Sequence, residues 1–108
     1  MKYHNRKVTI NGETFDSKKE ANRWAELKLL QRAGKITDLN RQVRFELVPS
    51  QYDDKKHLLE RPVAYVADFV YKEDGKLVVE DTKGMKTDAY IIKRKLMLER
   101  YKVRIRET

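Results

Sequence analysis

Two runs rich in Val, Tyr and Phe, Tyr65-Val66-Ala67-Asp68-Phe69-Val70-Tyr71 and Leu77-Val78-Val79-Glu80-Asp81-Thr82-Lys83-Gly84, flank the segment Lys72-Glu73-Asp74-Gly75-Lys76. β-branched and aromatic residues on either side of an Asp-Gly pair specify two antiparallel strands joined by a tight turn. Side chains alternate along a strand, so Leu77, Val79, Asp81 and Lys83 share one face, and Asp68 shares a face with Ala64, Val66 and Val70. A carboxylate on an apolar face is costly unless a cation or metal compensates it, which marks Asp68, Asp81 and Lys83 as a candidate site. Glu80 stands next to Asp81; alternation selects Asp81 as the neighbour of Lys83, and a bulge there exchanges the two acids.

The rest of the chain supplies helices and further strands around this hairpin. Residues 1–14 form a basic extension in which Lys7 to Phe15 reads as a short strand broken at Asn11-Gly12. Ser17 followed by Glu20 is a capping box that opens a helix running to about Ala33, with Gly34 as its stop. Glu20, Trp24, Leu27 and Gln31 lie on one stripe of that helix, so Glu20 reads either as a cap or as an acid directed toward the buried side. Val43, Phe45 and Leu47 alternate with polar residues in a strand ended by Pro49, where Gln42 is a polar position at the cleft or in solvent. Residues 49–61 read as a loop or hairpin end, with His57 a surface residue. Met85 to Asp88 lead into a second helix, Ala89 to Tyr101, with one line through Ile92, Leu96 and Glu99 and another through Tyr90, Met97 and Tyr101. Lys102 to Arg106 reads as a short alternating strand.

A chain of 108 residues holds one domain, here residues 1–108. Twenty-five Lys and Arg against seventeen Asp and Glu give a net charge of +8, which favours a polyanionic partner, nucleic acid first. Lys93, Arg94 and Lys95 on the second helix, with Tyr3, Arg6 and Lys7 in the extension, are the candidate phosphate and base contacts. No run of about 18 apolar residues is present, which argues against a membrane span. Cysteine is absent, so disulfides and thiolate metal sites are excluded, and a cytoplasmic location is expected.

Mg²⁺ takes oxygen ligands and keeps several waters, so Asp68 and Asp81 on adjacent strands suffice to hold it beside a phosphate. Glu20 offers a third carboxylate, and Lys83 is placed to orient a water or stabilise charge on a phosphoryl oxygen. A helix with Glu20, Asp68 on a strand, Asp81-x-Lys83 on the paired strand, then helix and strand, resembles the core of the PD-(D/E)XK nuclease superfamily. Phe15-Asp16-Ser17-Lys18-Lys19-Glu20-Ala21, Tyr65-Val66-Ala67-Asp68-Phe69 and Val79-Glu80-Asp81-Thr82-Lys83-Gly84 look like a small family of phage and prophage proteins grouped with those nucleases, with Ala67 in place of the signature proline.

The resemblance implies an α/β, restriction-endonuclease-like core, a mixed β-sheet flanked by two helices in αβββαβ order. It implies Glu20, Asp68, Asp81 and Lys83 as catalytic residues, the three acids as ligands of Mg²⁺, and Mn²⁺ as a substitute. The implied activity is that of an endodeoxyribonuclease on branched or Holliday-junction DNA in phage recombination or replication, acting as a homodimer in the host cytoplasm. The alternative is a basic DNA-binding protein without catalysis.

Overall fold

A computed structural model describes residues 6–108. In chain order its elements are β1 (Val8–Ile10), β2 (Glu13–Phe15), α1 (Lys18–Arg32), β3 (Thr37–Val48), β4 (Gln51–Tyr52), β5 (Leu58–Glu60), β6 (Val63–Glu73), β7 (Lys76–Asp81), α2 (Asp88–Tyr101) and β8 (Arg106–Glu107). Asp74 and Gly75 take φ of 53° and 76°, the left-handed pair that a two-residue hairpin turn requires, and they join β6 to β7. Asn11 and Gly12 do the same between β1 and β2, with φ of 52° and 80°.

β3, β6, β7 and β8 form one mixed sheet in that order: the first three are antiparallel, and β8 lies parallel to β7 after the α2 crossover. α1 starts at Ser17, whose side chain accepts from the Glu20 N–H, and α2 at Thr87, which accepts from the Tyr90 N–H. Leu27 of α1 packs with Ile36, Phe69 and Tyr71, while Tyr90 and Met97 of α2 pack with Leu47, Tyr65, Ala67, Val70, Val79 and Ile105. The sheet thus has one apolar cluster against each helix. The architecture is mixed α/β. Among the described residues no helix is long and apolar enough to cross a membrane.

β3 and β6 contain a turnover that positions the site. Their register is the same on either side of it, with Arg41 opposite Phe69 and Val43 opposite Ala67. Tyr65 and Ala67 pack in the α2 cluster, yet Phe69 and Tyr71 pack in the α1 cluster. Residues at spacing two share a face on a regular strand, so the faces exchange at Asp68. The partner strand turns at the matching place, where Gln42 has φ of 52°. Arg41 lies 4.0 Å from the Phe15 ring centroid on the α1 side, whereas Val43 and Phe45 pack on the α2 side.

Two readings of the sequence change and one alternative is decided. The terminal strand is Arg106–Glu107 rather than Lys102 to Arg106, because Lys102 takes the left-handed conformation (φ 60°) and caps α2 with its N–H on Leu98. Of the two readings of residues 49–61, loop or hairpin end, the structure takes the hairpin: β4 and β5 pair as a short ribbon. The apolar face of α2 is narrower than its sequence suggests, since Tyr90 and Met97 are buried but Ile92 is exposed.

Candidate functional site

Phe69 pairs with Glu80 and Val70 with Val79, so one step further along the same register Asp68 stands opposite Asp81. The N–H of Thr82 donates to Asp68 Oδ2 at 2.8 Å and closes the strand end over that carboxylate. Asp81 is 2% exposed; its Oδ2 accepts from the Tyr65 hydroxyl at 2.7 Å and lies 3.4 Å from Lys83 Nζ. Lys83 Nζ in turn sits 4.4 Å from the Tyr90 ring centroid, a cation–π contact that holds the ammonium beside Asp81.

Glu20 arrives from the first turn of α1. Its Oε1 accepts from the Asp16 N–H at 3.4 Å and lies 3.6 Å from Arg41, and the residue is buried. Asp68 is electrostatically coupled to both neighbouring acids, Glu20 raising its carboxyl and Asp68 in turn raising Asp81. Glu20 therefore belongs to the helix cap and to the acid cluster at once. The four residues Glu20, Asp68, Asp81 and Lys83, from one helix and two strands, meet in one place.

Burial and the neighbouring Asp68 push Asp81 up to about 7, against the opposing pull of Tyr65 and Lys83. Burial also raises Asp68 above the usual carboxylate range, and Glu20 adds to that rise. Carboxylates this close do not ionise independently, so Asp68 and Asp81 titrate as a coupled pair, with Lys83 the neighbouring positive charge. Among the described residues no three acid or histidine side chains already stand as a ready metal-binding group.

Glu80 points elsewhere. It is fully buried on the α1 side, where Arg23 meets it through two bonds (Nε 2.6 Å, Nη2 3.0 Å) and the Tyr71 hydroxyl donates to it at 2.7 Å. No bulge exchanges the two acids, and Asp81 is the one beside Asp68 and Lys83.

Three site residues were not legible in the sequence: Tyr65, Tyr90 and Glu107. Glu107 pairs with Asp81 in the β7–β8 register, accepts from the Tyr90 hydroxyl at 2.5 Å and faces Arg94 at 3.1 Å and Lys86 at 3.2 Å. It thereby fixes the ring on which Lys83 rests. The signal for Tyr90 lay in the α2 pattern, where it shares a line with Met97; nothing local marked Glu107.

The basic candidates spread apart. Lys93, Arg94 and Lys95 are consecutive on a helix and so point about 100° from one another. Lys95 is exposed, Lys93 is half-buried, and Arg94 is held by Glu107. Arg6 is exposed, Lys7 pairs with Asp16 at 3.1 Å, and Tyr3 lies outside the described residues. Gln42 is exposed, as is His57, which bonds Asp53 at 3.2 Å.

No curated protein and no solved structure matches the chain. One family model does, over residues 1–107, and it spans every element that brings Glu20, Asp68, Asp81 and Lys83 together: the chain belongs to the family described as Protein of unknown function (DUF1064).

Proposed function

We propose that the chain is a metal-dependent endodeoxyribonuclease with a PD-(D/E)XK, restriction-endonuclease-like core, acting on branched or junction DNA as a homodimer. The observation that carries this reading is the meeting of Asp68, Asp81 and Glu20 with Lys83 3.4 Å from Asp81. Three carboxylates crowded at a strand end of a chain with a +8 charge make a poor structural feature and a good cation and phosphate site.

The donor set fits Mg²⁺. The ion keeps several waters and needs one or two protein carboxylates, so the facing pair Asp68 and Asp81 is sufficient, with Glu20 assisting. When bound, Mg²⁺ supplies neutralisation of the phosphate charge and a more acidic water. The protein does the rest. Tyr65 holds Asp81 in one rotamer through its 2.7 Å bond. Lys83, braced on Tyr90, orients the attacking water and stabilises charge on the phosphoryl oxygen. Water adds to phosphorus, the P–O ester bond breaks, and the leaving oxygen takes up a proton.

A second reading, a basic DNA-binding protein without catalysis, is favoured by the net charge of +8. Cleavage of a labelled four-way junction, a flap and a plain duplex in Mg²⁺ or Mn²⁺ separates the two. The nuclease cuts at least one substrate, and Asp81→Ala cuts none. Equal inactivity of wild type and Asp81→Ala on all substrates, together with no Mn²⁺ binding by calorimetry, leaves the binding protein.

A further inference from the structure

The β4–β5 ribbon is the opposite of the acid site: it is apolar and unburied. From Gln51 to Arg61 every residue except Asp53 is exposed. Tyr52, Leu58 and Leu59 are 58%, 51% and 61% exposed. Tyr52 and Leu58 are register partners and share one side, and Leu59 is the unpaired residue at the register shift between the Gln51–Glu60 and Tyr52–Leu58 pairs, so three exposed apolar side chains gather on this short ribbon. A two-stranded ribbon alone is marginal in water. This one is nonetheless built with care at its tip, where Asp53 Oδ1 accepts from the N–H groups of Lys55 and His57 at 2.8 and 2.9 Å, and the Asp53 N–H donates to the His57 carbonyl at 2.9 Å. The molecule is drawn out, with extents of 52 × 40 × 25 Å and a radius of gyration of 16.2 Å. A compact domain of this length has about 13 Å.

Charge decides what covers the ribbon. Between Pro49 and Pro62 the acids Asp53, Asp54 and Glu60 offset the bases Lys55, Lys56 and Arg61, a net charge of zero within a chain of +8. A surface built for phosphates carries an excess of base. Two copies of a +8 chain repel, and they approach best where the charge balances and can pair with itself across a two-fold axis.

We propose that the β4–β5 ribbon is where two copies of this chain associate, with Tyr52, Leu58 and Leu59 of both copies packed together and the acids of each tip near the bases of the other. This deepens the proposed function, on which it rests only for the use of two sites on two strands; the association itself needs neither DNA nor metal.

Sedimentation of the full chain without DNA or metal, at concentrations up to on the order of 100 µM, gives a dimer. Leu58→Glu with Leu59→Glu weakens it about 100-fold or more, the effect of removing central apolar anchors, with an unchanged circular dichroism spectrum. Because the chain has no cysteine, Leu59→Cys alone reports directly. Under mild oxidation it forms a covalent dimer, and Lys28→Cys on α1 does not. A monomer throughout the concentration range overturns the proposal, as does a dimer indifferent to Leu58→Glu/Leu59→Glu. So does loss of DNA retention by that variant with its oligomeric state unchanged, which would put nucleic acid on the ribbon. A dimer that cuts no DNA supports the proposal and removes the nuclease reading.

Discussion

On the proposed nuclease reading Lys83 and Asp81 act differently on the same phosphate, and substitution separates them. Lys83→Ala removes a charge aimed at the reacting group but leaves Asp68 and Asp81 in place. Cleavage is expected to fall about 100-fold or more, the effect of deleting one such stabiliser, while calorimetric Mn²⁺ binding persists. Asp81→Ala loses both. Glu107 gives a pH-dependent prediction on the other side of Lys83. The Tyr90 hydroxyl, joined by Lys86 and Arg94, holds its carboxyl down at about 2 from the ordinary 4.5. A depressed folded-state value stabilises the fold above the unfolded value and loses that contribution as the pH falls through the folded one. Chemical denaturation of wild type should therefore show stability declining between about pH 4.5 and 2, and Glu107→Gln should flatten that limb. An unchanged slope in the variant would mean that the Tyr90–Glu107 bond does not form in solution.

α1 is tied to β7 by Arg23 and Glu80, one turn from Glu20 and one residue from Asp81. Glu80 is fully buried, so Arg23→Met leaves a carboxylate with only Tyr71 and a 3.5 Å contact from Thr108 to satisfy it. Removing one partner of a buried pair costs about 3–5 kcal/mol, and replacing both with apolar residues is often near neutral. Urea unfolding should show Arg23→Met strongly destabilised and Arg23→Met/Glu80→Met substantially recovered. If the double variant is as unstable as the single one, the pair is needed for more than its own charge balance. At this scale the sequence is readable where local chemistry decides: the Asp74-Gly75 turn, the Ser17 cap, and the alternation that puts Asp81 with Lys83 and away from Glu80. It is silent where two strands turn over together. Alternation places Tyr65 on the opposite face from Asp68, and the exchange of faces at Asp68 is what carries its hydroxyl to Asp81. The left-handed Gln42 that accompanies the turnover has no sequence signature, because glycine or asparagine is the usual residue there. Glu107 was hidden for a related reason: it reaches the site through the parallel β7–β8 pairing, a contact between residues 26 apart that no local pattern encodes.

Across the whole molecule charge is unevenly distributed: three acids gather at the candidate site, the ribbon is neutral, and the positive excess of a chain with a net charge of +8 lies on the rest. Binding of DNA by such a surface is driven by release of counterions, so the logarithm of affinity should fall linearly with the logarithm of salt, with a slope of about −0.9 for each phosphate neutralised. The structure ranks the α2 bases in that measurement. Lys95 is exposed, whereas Arg94 already faces Glu107 at 3.1 Å and its charge is largely spent inside the fold. With Ca²⁺ in place of Mg²⁺ to prevent cleavage, Lys95→Ala should reduce the magnitude of the slope by about one, the loss of one phosphate contact. Arg94→Ala should change the slope less and instead lower thermal stability, because it strips a partner from the Glu107–Tyr90 brace under Lys83. Equal slopes for wild type and both variants would move the DNA path away from α2, toward other basic residues of the chain.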